Sequence, residues 1–164
     1  MKFNKIKSYA KINLSLNILG KLKSNLHKIE TLVSFLSLKD DIFIKKINGR
    51  HHIVKFKGKF SKNIPKKNTV TKLLKILDDK KKLENQKYSI IVKKNIPQRS
   101  GLGGGSMNAA SIIAYLLNKK KINLRKEQIL KLTSKIGSDV VLGLSQKNSL
   151  IYNNNKLKKI NKNF

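Results

Sequence analysis

The stretch Pro97-Gln98-Arg99-Ser100-Gly101-Leu102-Gly103-Gly104-Gly105-Ser106-Met107-Asn108-Ala109-Ala110 decides how the rest of the chain is read. A strand-like run over residues 88–92 leads into it. From about Ser106, Met107, Ala110, Ala114 and Leu117 recur at helical spacing. Glycines at 101, 103, 104 and 105 permit φ > 0 and a close approach of backbone to a ligand. The free N–H groups and the positive end of the following helix then face one concavity, which is how a chain cradles phosphate. The spacing is neither that of a Walker A loop nor that of a dinucleotide fingerprint. As backbone physics alone, the same glycines also fit a tight loop with no ligand.

Upstream, Ile12, Leu14, Leu16 and Ile18 alternate with Asn13, Ser15 and Asn17, which predicts a half-buried strand ended by Gly20. Lys11 shares the parity of Asn13, so both leave on the face opposite the aliphatic row. Residues 31–38 read as a strand buried on both sides, and residues 42–47 and 53–56 as a hairpin around Asn48-Gly49. Asn68 is the expected N-cap of a helix carrying Val70, Leu73, Leu74 and Leu77. Asn123 is the expected cap of another, with Ile129, Leu132 and Ile136 inward and Gly137 closing it. Ser138 is expected to cap a short helix through Leu144. Residues 149–152 and 156–160 read as a terminal hairpin joined by Asn153, Asn154 and Asn155. Strands first, then helices interleaved with strands, predict an α+β fold in a single domain.

The formal charge is +30 in 164 residues, with no cysteine. That excludes disulfides, thiolate metal sites and a cysteine nucleophile. Of the 38 lysines and arginines only Arg50, Arg99 and Arg125 are arginine. Proteins that read phosphates and bases favour the guanidinium fork, which lysine lacks. The lysines are spread over every segment, beside abundant Asn and Ile, as A/T-rich codon drift would leave them. Nonspecific adhesion to polyanions at low salt follows as a by-product. No continuous apolar run suits a membrane span, so a cytoplasmic protein is expected. Three histidines without acidic neighbours give no metal site of recognisable spacing.

Pro-x-x-x-Gly-Leu-Gly-Gly-Gly-Ser-x-Asn-Ala-Ala resembles the ATP-binding motif of the GHMP kinase superfamily. Three further blocks, residues 10–20 (Ala-Lys-Ile-Asn-Leu onward), 27–38 (His-Lys-Ile-Glu-Thr onward) and 136–140 (Ile-Gly-Ser-Asp-Val), resemble the branch that acts on the cytidyl diphosphate of methylerythritol in the non-mevalonate isoprenoid pathway. The resemblance implies the GHMP kinase N-terminal domain, whose fold is like the second domain of a ribosomal small-subunit protein. It also implies transfer of the ATP γ-phosphoryl to a substrate hydroxyl, with Mg²⁺ arriving on ATP and no protein metal site. By position it makes Asp139 the catalytic base and Lys11 its partner. Asn13 and His27 become substrate residues. Pro97, Gly101, Leu102, Gly103, Gly104, Gly105, Ser106 and Asn108 become the ATP loop, with Lys94 and Asn68 on the nucleotide side.

The chemistry suits those roles, because an alcohol needs a base to take its proton and an ammonium keeps that base ionised. Read without the resemblance, Lys11 is surface, Asp139 a helix cap and His27 a turn residue, while Asp40, Asp41, Asp78 and Asp79 look like turn or surface positions. Met107 stands where the family has serine, and Val141 where it has proline. Family members carry a second domain, and this chain stops at Phe164 about where it begins. The expectation is one domain over 1–164 with the C-terminal domain absent, through truncation or because a separate chain supplies it. Alternative readings are another small-molecule kinase of the superfamily, of mevalonate or homoserine type, or a non-catalytic, RNA-adhering domain.

Overall fold

A computed structural model describes residues 2–21, 27–152 and 156–160. Its elements are β1 (Asn4–Lys21), β2 (His27–Ile47), β3 (Ile53–Lys57), α1 (Thr69–Asp79), β4 (Lys87–Lys93), α2 (Gly104–Asn118), α3 (Lys126–Ile136), a 3-10 turn (Ser138–Leu144), β5 (Ser149–Tyr152) and β6 (Lys156–Lys159). The expected α+β class is what forms. β2 is the spine of the sheet. Antiparallel β1 runs along one edge of it. The opposite edge takes β4 along Asp41–Ile47 and β5 along Thr31–Val33. β3 lies parallel outside β4, and β6 antiparallel outside β5.

Several expectations are corrected. Residues 31–38 and 42–47 are one unbroken strand, with Asp40 and Asp41 inside it rather than at a turn. Residues 42–47 and 53–56 do not form a hairpin. The connection from β3 to β4 contains α1, a crossover of the kind that makes flanking strands parallel, and β4 then takes the edge of β2 that a hairpin would have used. Nor is the 31–38 segment buried on both sides: Thr31, Val33 and Ser34 are buried, whereas Ser37 and Leu38 are exposed.

The aliphatic row of β1 is exposed from Leu14 onward, against expectation, and so are Asn13, Ser15 and Asn17. Leu14, Leu16 and Ile18 are 49%, 54% and 64% exposed, while Lys11 is 4% exposed. A bulge between Tyr9 and Lys11 shifts the register there, so that the adjacent residues Ala10 and Lys11 are both buried. Beyond Lys11 the ribbon runs with its aliphatic row open to solvent.

The helices behave more locally. Asn68 caps α1 as expected: its Oδ1 accepts from the N–H groups of Val70 and Thr71 (3.0 and 3.1 Å), and Thr71 Oγ1 accepts from Asn68 N–H (2.9 Å). The helix buries Val70, Leu73, Leu74 and Leu77. α3 starts at Lys126, not after Asn123, because Gln128 Oε1 accepts from Arg125 N–H (2.9 Å) and closes that end. Gly137, rather than Ser138, precedes the 3-10 turn. One core joins Ile42, Ile44, Ile90 and Val92 of the sheet to the inner faces of α1, α2 and α3. Among the described residues no helix is long and apolar enough to cross a membrane.

Candidate active site

The glycine stretch becomes a loop by the conformations only glycine takes without cost. Gly101 and Gly103 have φ of +75° and +67°. Gly103 then ends the loop, and Met107 N–H donates to its carbonyl (2.9 Å) as the first bond of α2. No side chain caps this helix, so the first-turn amides are left for a ligand. The end of α1 converges on the same place, where Thr69 Oγ1 donates to Gly105 O (2.7 Å). Between them lies an open pocket of about 380 Å³ walled by Phe56, Ile64, Pro65, Asn68, Thr69, Lys94, Pro97, the loop glycines 101 and 103–105, Ser106 and Asn108. An apolar side, a glycine loop and two helix N-termini make a cavity suited to a base carrying phosphates.

The expected base and lysine meet beside this loop. Lys11 Nζ lies 3.0 Å from Asp139 Oδ2, with the lysine side chain 6% exposed and the aspartate 37%. Lys11 also donates to Asn13 Oδ1 (3.1 Å), and its backbone N–H donates to Leu102 O (3.0 Å). Gly103 lines the pocket and abuts Lys11 as well: a Cβ there would stand 2.9 Å from Lys11 Cγ. The loop therefore separates pocket and ion pair by the width of one backbone. The carboxylate is the accessible member and the ammonium the buried one. That arrangement holds a carboxylate in position while leaving it open to a proton-bearing ligand.

Two nucleotide-side expectations look different in place. Asn68 lines the pocket, but its amide is occupied by the α1 cap and by the carbonyls of Pro65 and Lys66 (2.9 and 3.3 Å). Lys94 is 5% exposed and its ammonium hydrogen-bonds the Asp40 carboxylate, so it is no free cation. Asp40, read from sequence as a turn or surface residue, is fully buried. It also accepts from Asn95 N–H, Ile96 N–H and Asn108 Nδ2 (2.7, 2.9 and 3.0 Å). The signal was in the sequence: Asp40, Ile42 and Ile44 share a parity, and all three are buried. Thr69, Phe56, Ile64 and Pro65 were missed because sequence spacing does not reveal which segments converge.

The side chain of His27 lies outside the described residues, although its backbone opens β2 opposite Lys21. Among the described residues there is no group of three or more His, Cys, Asp or Glu side chains suited to a metal ion. The Ser106 hydroxyl at the first turn of α2 fits a magnesium ion held chiefly by phosphate oxygens and water.

Residues 68–147 match the model of the GHMP kinases N terminal domain. The chain is 53% identical to the 4-diphosphocytidyl-2-C-methyl-D-erythritol kinase of Pelagibacter ubique, across 94% of this chain and 55% of that protein. Against the enzyme of the same name from Thermosipho melanesiensis it is 38% identical, across 82% and 46%. It thus spans about half the length of the curated relatives it matches. A solved 4-(cytidine 5'-diphospho)-2C-methyl-D-erythritol kinase superposes with a TM-score of 0.75 at 22% identity, over 96% of this chain and 55% of that one. A mevalonate kinase gives 0.67 at 17%, over 96% and 56%. The fold is therefore that of both solved kinases, and the sequence similarity is to 4-diphosphocytidyl-2-C-methyl-D-erythritol kinases. Residues 68–147 thus match a GHMP kinase N-terminal domain, and the chain is homologous over nearly its whole length to one half of 4-diphosphocytidyl-2-C-methyl-D-erythritol kinases.

Proposed function

We propose that this chain is the nucleotide-binding half of a 4-diphosphocytidyl-2-C-methyl-D-erythritol kinase, working in the cytoplasm on a water-soluble substrate. The observation that carries the reading is the Lys11–Asp139 pair, 3.0 Å apart and packed against an uncapped helix N-terminus. The pocket takes ATP with its phosphates on the amides of residues 103–106. Asp139 accepts the proton of the substrate hydroxyl as that oxygen attacks the γ-phosphorus, and the bond from that phosphorus to the β,γ-bridging oxygen breaks so that ADP leaves. Lys11 holds the Asp139 carboxylate in place and steadies charge on the transferring oxygens. Asn13, bonded to Lys11, faces the cytidyl substrate, and the family resemblance assigns His27 to the same substrate. Magnesium, held by ATP with Ser106, would neutralise phosphate charge. The remaining length of the relatives corresponds to a second domain that closes the substrate side, on the same polypeptide or on a separate chain.

A coupled ATP-turnover assay with 4-diphosphocytidyl-2-C-methyl-D-erythritol tests this, on the chain alone and mixed with the C-terminal half of a full-length relative. Turnover should appear with the added half. Asp139→Asn should lower it at least about a hundredfold, the usual share of a general base, with ATP affinity retained. An unchanged rate would take Asp139 out of the chemistry. Mevalonate or homoserine accepted in place of the cytidyl substrate would move the chain to another branch.

A further inference from the structure

Among the described residues Asp40 is the one fully buried carboxylate, and the mechanism above does not use it. We propose that Asp40 is a positioning residue that clamps β2, residues 94–96 and α2 together, so that the loop amides are held at the spacing ATP phosphates require. The inference rests on the phosphate-site reading just given. The two carboxylate oxygens divide the work. Oδ1 takes the N–H groups of Asn95 and Ile96, and Oδ2 takes Lys94 Nζ and Asn108 Nδ2. What it fastens touches the loop directly, because a Cβ on Gly104 would stand 3.1 Å from both Ile96 Cγ2 and Lys94 Nζ. Asn95 Nδ2 adds a bond to Lys39 O (2.9 Å), tying the same segment to β2 a second time.

Four donors converging from two sides need an acceptor at both ends, which a carboxylate offers and an amide does not. If Asp40 served only to neutralise Lys94, bonds to two backbone amides and to Asn108 would be superfluous. The two roles also differ in sign. Removing an anion near a phosphate site should tighten ATP by charge alone, whereas losing the clamp should weaken it.

The experiment compares the wild-type chain with Asp40→Asn. Binding of ATP and of adenosine is measured by competition against a fluorescent ATP analogue, and amide hydrogen exchange is followed without ligand. Loss of one hydrogen bond to a charged phosphate costs roughly tenfold to a hundredfold in affinity. The variant should therefore bind ATP at least about tenfold more weakly, adenosine equally, and exchange faster at Asn95, Ile96 and the first turn of α2 than in α1. ATP binding that is unchanged or tighter, with local exchange unchanged, overturns the proposal. Should Asp40→Asn not fold, Asn95→Ala, which removes the second tie to Lys39 O at a residue outside the pocket wall, should give the same split in smaller measure. A wild-type chain that ignores ATP defeats the phosphate-site reading instead, and the exchange comparison alone then decides whether Asp40 holds the segment.

Discussion

At residue scale the environment of a side chain, not its identity, decides its charge, and His52 shows this away from the site. Its Nδ1 accepts from Tyr88 N–H (3.0 Å), its Nε2 meets Asp78 Oδ2 (3.1 Å), and its ring stacks on Tyr88. Lys87 shares the same carboxylate oxygen at 2.6 Å. Burial lowers the histidine below its ordinary 6.5, and the nearby Lys87 charge adds to that, against the raising effect of Asp78. The unfolded chain therefore takes the proton first. The contribution of His52 to stability is complete above pH 6.5 and is lost as the pH falls through that value toward the folded one. The melting temperature should drop between neutral pH and pH 5.5, and the drop should be shallower in His52→Gln. Identical slopes in the two proteins would show that this ring does not set the dependence. Asp78, pushed up by burial but brought lower by Lys87 and His52, titrates at more acid pH and leaves this window clear.

At the scale of elements, what is local was legible and what is long-range was not. Asn68 and the four apolar residues after it announced α1, because a cap and a 3.6-residue stripe depend on neighbours in sequence. The glycine loop was legible for the same reason. The false hairpin at Asn48-Gly49 used a good turn signal, yet β4 outcompetes β3 for the edge of β2 once α1 has carried the chain across. Asp40 was misread because two adjacent aspartates look like a turn unless the strands on either side are known to be one strand. The double duty expected of Asn68, as the cap of α1 and at the nucleotide, can be separated by mutation. Asn68→Ala should lower stability by about 1 kcal/mol, the usual worth of such a cap, and Asn68→Ser should recover most of it. Urea denaturation would register this as a shifted midpoint at constant slope. A Ser variant as unstable as Ala would mean that the bonds to Pro65 and Lys66, rather than the cap, stabilise this corner.

At the scale of the whole molecule two surface properties oppose each other. Leu14, Leu16, Ile18 and Leu19 along β1 are between 49% and 64% exposed, a surface of the kind that associates. The net charge of +30 repels a second copy. Repulsion between exposed charges is screened by salt, its range shrinking from about 30 Å at about 0.01 M to about 8 Å at about 0.15 M. Apolar contact is not weakened by that screening. The isolated chain should therefore sediment as a monomer at low salt and self-associate as salt rises. Leu16→Lys combined with Ile18→Lys should keep it monomeric throughout. Adhesion to nucleic acid through lysine follows the reverse course, tight at low salt and released at high salt, so sedimentation with and without added RNA distinguishes the two. Association that weakens with salt and ignores both substitutions would place the contact on the charged surface instead, and would leave the β1 row without a part in it.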